Sequence, residues 1–219
     1  YVNINDTCNA YWDGYSTNFF REGGSCNNTA RVSDIVFHEY GHGFHQFNRA
    51  SGVMSGPIGE GSGDYIAASI TNDARMAPGF FKSGGWLRNA DNNLQYPDDL
   101  VGQSHADGQI WSGAMWELLQ LMKIRYGNQN GKRVTDQLFA KILRTGPRLD
   151  DVYAEALVAD DDDSNLSNGT PNQCEIEVAF GQHGLSPNSG ETTGGYLPLQ
   201  HEEIAGHVYA EESIPIHIA

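Results

Sequence analysis

Apolar positions recur at helical spacing from about Ala30 onward. Val32, Ile35, Val36, Phe44 and Phe47 mark one buried face of a helix capped by Ser33 and ending near Asn48. A Gly- and Ser-rich loop, SGVMSGPIG, separates it from a second helix expected over Gly59 to Ile70. Ile110, Met115, Trp116, Leu118, Leu119 and Met122 give the best amphipathic pattern in the chain and predict a helix from Gly108 to Tyr126. Further helices are expected over Gly131 to Leu143 and Leu149 to Val158. A last one starts with Pro171 in its first turn and reaches about Gly184.

Before residue 30 the pattern changes period. Tyr1 to Ile4 alternates, and Asn9-Ala10-Tyr11-Trp12 runs into the turn Asp13-Gly14, so this part reads as short strands and loop. Residues 73–105 show no sustained period and are broken by Pro and Gly, as expected of a long surface excursion beside a cleft. After Ser186 the composition becomes that of a linker, and the final GHVYAEESIPIHIA reads as an edge strand or the start of another module. The pattern predicts an α+β chain: a short N-terminal β region, then a mainly helical lobe, with one domain over 1–186 and an extension over 187–219.

A chain of 219 residues with 39% hydrophobic and 11% aromatic residues can bury a real core. A formal charge of −15 with 13 Lys and Arg excludes a nucleic-acid surface. No apolar run reaches bilayer length, so no membrane partner is expected, and the chain reads as a monomer. The three cysteines form no C-x-x-C pair, which argues against a thiolate metal site. Cys8 and Cys26 flank a Gly- and Asn-rich loop and suit a local disulfide. Cys174 is then either a buried thiol or paired with a cysteine elsewhere. An opening such as YVNIN, without a leader, suggests a processed part of a longer secreted, multidomain chain.

The first predicted helix carries His38-Glu39-Tyr40-Gly41-His42, the H-E-x-x-H pattern. Residues four apart on a helix lie about 6 Å apart along one face, so two imidazoles there can share one Zn²⁺ while Glu39 works on an activated water. Three protein ligands are the rule for catalytic zinc. The continuation H-x-x-G-x-x-H fails, since His45 and Asn48 occupy its Gly and His positions. His45 lies about 10 Å from His38 along a straight helix, too far for one tetrahedral ion. The other continuation is Glu60, 18 residues after His42, with Asp64 four residues further on the same face. Glu60 would complete a His₂Glu site, and Asp64 would accept the N–H of a ligating histidine.

H-E-Y-G-H followed by G-E-G-S-G-D-Y resembles the gluzincin metallopeptidases, and within them the fungalysin and thermolysin-like families. That resemblance implies a zincin-type fold and a zinc endopeptidase acting on peptide substrates. It implies His38, His42 and Glu60 as ligands, Glu39 as general base and Asp64 as the carboxylate behind them. Asn9-Ala10-Tyr11-Trp12-Asp13-Gly14 is similar to the edge strand N-A-F-W-x-G of those enzymes, which implies Asn9 and Ala10 as substrate contacts by strand addition. Ile110-Trp111-Ser112-Gly113 resembles their I-x-S-G segment, which a histidine precedes. Here Gln109 stands directly before it, which leaves His105 as the candidate oxyanion donor, oriented by Asp107, or Gln109 itself.

Only 37 residues precede His38, fewer than the β-rich lobe that such enzymes carry there. Asp160, Asp161, Asp162 and Asp163 concentrate oxygen ligands in one loop and make Ca²⁺ the second cofactor to consider, although the spacing is not that of an EF-hand. Two rival readings remain: an aminopeptidase of the same clan, and a zinc-holding interaction module without catalysis.

Overall fold

The computed structural model describes residues 1–52 and 55–187. The expected C-terminal extension lies, from residue 188, outside the described residues. The fold is mixed, with six α-helices and a few short strands among the described residues. β1 (Ala10–Trp12) and β2 (Thr17–Phe19) form an antiparallel hairpin with Ala10 opposite Phe19 and Trp12 opposite Thr17. α1 (Ser33–Asn48) and α2 (Gly56–Thr71) follow. The two-residue strands β3 (Arg75–Met76) and β4 (Arg88–Asn89) pair within the excursion. α3 (Ser104–Tyr126), α4 (Asn128–Ile142), α5 (Val152–Asp160) and α6 (Gln173–Gln182) follow.

Two apolar clusters organise these elements. The larger joins α2 to α6 around Trp111, Leu118, Leu119, Met122, Ile142 and Phe180, all without solvent exposure. The Trp111 indole N–H donates to Ser62 Oγ at 3.0 Å, which satisfies its one donor and ties α3 to α2. The smaller cluster packs Ala10, Phe19, Cys26, Val32, Ile35 and Phe80 between the hairpin, α1 and the excursion. The expected disulfide is present: Cys8 and Cys26 are bonded, with Cα atoms 5.2 Å apart. Closing a loop of this size stabilises by about 3 kcal/mol. Cys174 forms no disulfide and is half-buried.

Several boundaries differ from the sequence expectation. The residue before α1 is Val32; Ser33 is already helical and donates its hydroxyl to Asp34. Phe47, assigned to the buried face, is 71% exposed and touches Trp12 edge-on. α2 begins at Gly56, with Pro57 supplying the fixed φ of a first turn. α3 begins at Ser104 because the Gln103 side chain accepts the Ala106 N–H, and His105 is therefore helical rather than in a loop. Pro171 lies just ahead of α6, not in its first turn. The excursion is anchored from below, where the buried Asp34 carboxylate accepts the Ala77 N–H at 2.8 Å.

Candidate metal centre

α1 and α2 cross where glycines replace side chains. A Cβ on Gly41 would lie 2.8 Å from the Gly63 Cα, and one on Gly63 would lie 2.6 Å from His38 Nδ1. The sequence G-E-G-S-G-D thus does two jobs: its bare backbone lets the helices touch, and its two carboxylates then face α1. His38 rests flat against this crossing, 4% exposed.

His38 Nε2 lies 3.1 Å and His42 Nε2 3.7 Å from Glu60 Oε2, and one ligand atom from each residue falls within 4.8 Å of the other two. Tetrahedral zinc with bonds of ~2.0–2.1 Å sets neighbouring ligand atoms about 3.3 Å apart. The three donors fit that geometry. His38 Nδ1–H donates to Asp64 Oδ1 at 2.8 Å, which aims Nε2 at Glu60. Burial opposes a charge on His38, yet its bonds to Asp64 and Glu60 push its pKa up to about 9. The same field favours a metal cation in place of that proton. Burial, then the nearby His38 charge, lowers His42 to about 4, leaving it a neutral imidazole with a free lone pair.

Asp64 has a second partner that the sequence did not reveal. Arg88, from β4, donates through Nε to Oδ2 at 2.6 Å and through Nη2 to Oδ1 at 2.7 Å. Such a fork-shaped pair fixes the carboxylate in two dimensions. Burial of Asp64 would raise its pKa, but Arg88 and His38 win and hold it well below the carboxylate range. No spacing rule marks Arg88, because it comes from the aperiodic excursion.

Glu39 points into the same cleft and is 5% exposed. Its Oε2 has no hydrogen-bond partner among the described residues. Burial first, and the Glu60 charge second, raise its pKa to about 7. A buried carboxyl with an unpartnered oxygen is costly unless chemistry uses it.

His105 stands on the first turn of α3, with Nε2 3.1 Å from Glu60 Oε2 and a half-exposed ring. It therefore meets Glu60 from α3, outside the group of three donors. The expected orienter is corrected: Asp107 accepts the backbone N–H groups of Val101 and Gly102, and Gln103 Nε2 is the group at His105 Nδ1, at 3.0 Å. His45 is buried on α1, and neither ring nitrogen has a partner among the described residues. It stands outside the group of three donors.

Register decides what the hairpin offers. The Phe20 N–H donates to the Asn9 carbonyl, so the Ala10–Phe19 pair next to it is a non-hydrogen-bonded one. The N–H and C=O of Ala10 and of Trp12 consequently point away from β2. Asn9 and Ala10 line a cleft of 350 Å³ together with His38, Glu39, Arg88 and His105. A larger groove of 550 Å³ between α1, α2 and α4 contains none of these groups.

The acidic loop divides. Asp160 is buried, and its carboxylate accepts from the Thr170 hydroxyl, the Asn172 backbone N–H and the Asn172 side chain, so it ties α5 to the start of α6. That removes Asp160 from any calcium group. Asp161, Asp162 and Asp163 lie close together at the surface, an arrangement exposed acidic residues often adopt without an ion.

Two histidines and a glutamate on crossing helices, with a carboxyl of raised pKa beside them, match the composition of a His₂Glu metal site. The chain is similar to the extracellular metalloproteinase mep of Aspergillus niger, 27% identical over 201 residues that cover 74% of this chain and 32% of that protein. It is similar to extracellular metalloproteinase 4 of Trichophyton soudanense, 31% identical over 196 residues, covering 69% of this chain and 48% of the relative. Against the mep protein of Aspergillus fumigatus it is 28% identical over 193 residues, with 69% and 30% coverage. No family model matches the chain. The chain spans less than half the length of these relatives. Over about 70% of its length the chain is similar to extracellular metalloproteinases of fungi.

Proposed function

We propose that this chain is the catalytic part of a secreted zinc-dependent endopeptidase of zincin architecture. The observation that carries the reading is Glu39, a buried carboxyl with a pKa near 7 and one unpartnered oxygen, set beside the three donors His38, His42 and Glu60. Those three residues would hold the zinc, which when bound supplies Lewis-acid polarisation of the scissile carbonyl and an acidified water.

The remaining work falls to the chain. The free edge of Ala10 takes the substrate backbone as an added strand, with Asn9 beside it. Glu39 accepts a proton from the attacking water and passes it to the leaving amine, a task for which a pKa near neutral is best. His105 donates to the oxyanion from the side opposite the α1 histidines. Asp64 holds His38 in the tautomer whose Nε2 faces the metal, and Arg88 holds Asp64.

The names of the relatives support secretion, as does the Cys8–Cys26 disulfide, which suits an oxidising compartment. Among the described residues no helix is long and apolar enough to cross a membrane. A non-catalytic zinc module has no use for Glu39, and an aminopeptidase needs acidic groups that hold a free amine.

Substituting Glu39→Gln tests the proposal. Zinc content should stay at one per chain while cleavage of a blocked peptide falls to background. Retained cleavage would overturn the mechanism, and cleavage restricted to peptides with a free amine would favour the aminopeptidase.

A further inference from the structure

The cleft beside Glu39 has a covalent bond in its wall. Cys8 and Cys26 line it together with Ile35, Phe80, Phe81 and Leu87. Cys8 directly precedes Asn9 and Ala10, which also line the cleft, and the N–H and C=O of Ala10 point away from β2. Cys26, fully buried, forms an antiparallel bridge with Phe81. On either side of that bridge the Asn27 N–H donates to the Phe80 carbonyl and the Lys82 N–H to the Ser25 carbonyl, both at 2.9 Å. The sulfur bridge thus joins the strand edge on one side of the cleft to the segment that carries the aromatic wall on the other.

Cys8 also has a φ of +63°, a left-handed conformation that a residue with a Cβ holds only when its surroundings impose it. The bond to Cys26 is such an imposition. The adjoining Asn9 carbonyl is held separately, by the Phe20 N–H and the Thr29 hydroxyl. Opening the bond would therefore remove the sulfur tie between Cys8 and the segment paired with Phe80 and Phe81, while the hairpin keeps its register.

We propose that the Cys8–Cys26 disulfide is a specificity-determining element of the substrate cleft. It sets the width between the edge that takes the substrate backbone and the apolar wall that meets the neighbouring side chain. The proposal rests on the peptidase reading above.

The test uses the full chain with zinc, in three forms: unchanged, with Cys8→Ser and Cys26→Ser together, and unchanged but reduced by a water-soluble phosphine. Reduction turns the S–S bond into two thiols, with the phosphine oxidised to its oxide and water supplying the oxygen. Zinc content, peptide cleavage products and the Kd of a blocked peptide for the Glu39→Gln form are measured in each.

With the bond open, zinc should stay at one per chain. The peptide should bind about tenfold more weakly, and discrimination between large and small apolar side chains next to the cleaved bond should fall by a similar factor. Unchanged Kd and product pattern would overturn the proposal. Loss of zinc or of the fold in the phosphine-treated protein would overturn it too, by making the bond a general support. If the unchanged, oxidised protein binds no zinc and cleaves nothing, the peptidase reading itself has failed.

Discussion

His38 and Asp64 share a 2.8 Å hydrogen bond across the α1–α2 crossing, and the same carboxylate takes the forked guanidinium of Arg88. The proposed metal ligand, its orienting carboxylate and that carboxylate's own clamp thus form one chain of contacts. Asp64→Asn keeps the shape but loses the charge that fixes the His38 tautomer. Zinc affinity should fall by ~10–100-fold, read by competition with a chelator. An unchanged affinity would show that the crossing alone orients the ring.

Gly63 presents two opposed magnitudes. Alanine at a helix interior is worth about 1 kcal/mol over glycine. Here the added methyl would meet His38 Nδ1 at 2.6 Å and Cγ at 2.9 Å, and overpacking costs roughly 1–3 kcal/mol. The net is a loss of about 0–2 kcal/mol, and the ring must move to make room. Gly63→Ala should therefore melt somewhat below the parent but stay folded, while binding zinc far more weakly. A variant that keeps its zinc would place the strain elsewhere.

His105 tests the far side of the cleft. Removing one oxyanion donor costs ~10²–10³ in kcat. His105→Ala should show that loss with KM little altered and zinc content intact, because its ring contacts Glu60 without belonging to the group of three donors. His105→Gln, which keeps an N–H, should recover part of the rate. A fall in zinc content instead would mean that His105 acts by holding Glu60.

The legible part of the site was whatever helical spacing could carry. His38 with His42, and Glu60 with Asp64, are pairs four residues apart, and a helix turns each pair to one face whatever the tertiary structure. Arg88 was illegible because only folding brings it to Asp64, from a segment without a period. The starts of α2 and α3 were placed three to four residues late, because Gly56, Pro57 and Ser104 lack helix propensity and a side-chain cap or fixed φ decides there. Phe47 misled for a related reason. It keeps the apolar period, but α1 runs past the core at its last turn and leaves the ring in solvent.

The buried His45 gives α1 a sensitivity to acid that is separate from the proposed zinc-holding residues. It is fully buried, and burial, helped by the Arg49 charge, lowers its pKa from 6.5 to about 4. The unfolded chain therefore takes up this proton at higher pH than the folded one. Stability from the neutral ring is fully present above pH 6.5, declines as pH falls towards 4, and changes no further below that. A shift of this size corresponds to about 3 kcal/mol. The ring nitrogens have no partner among the described residues, so His45→Leu removes the titration without breaking a hydrogen bond. In the presence of a chelator, the urea midpoint of the parent should drop more steeply between pH 7 and pH 5 than that of His45→Leu. Parallel pH profiles for the two proteins would mean that His45 finds its proton a partner in the folded state.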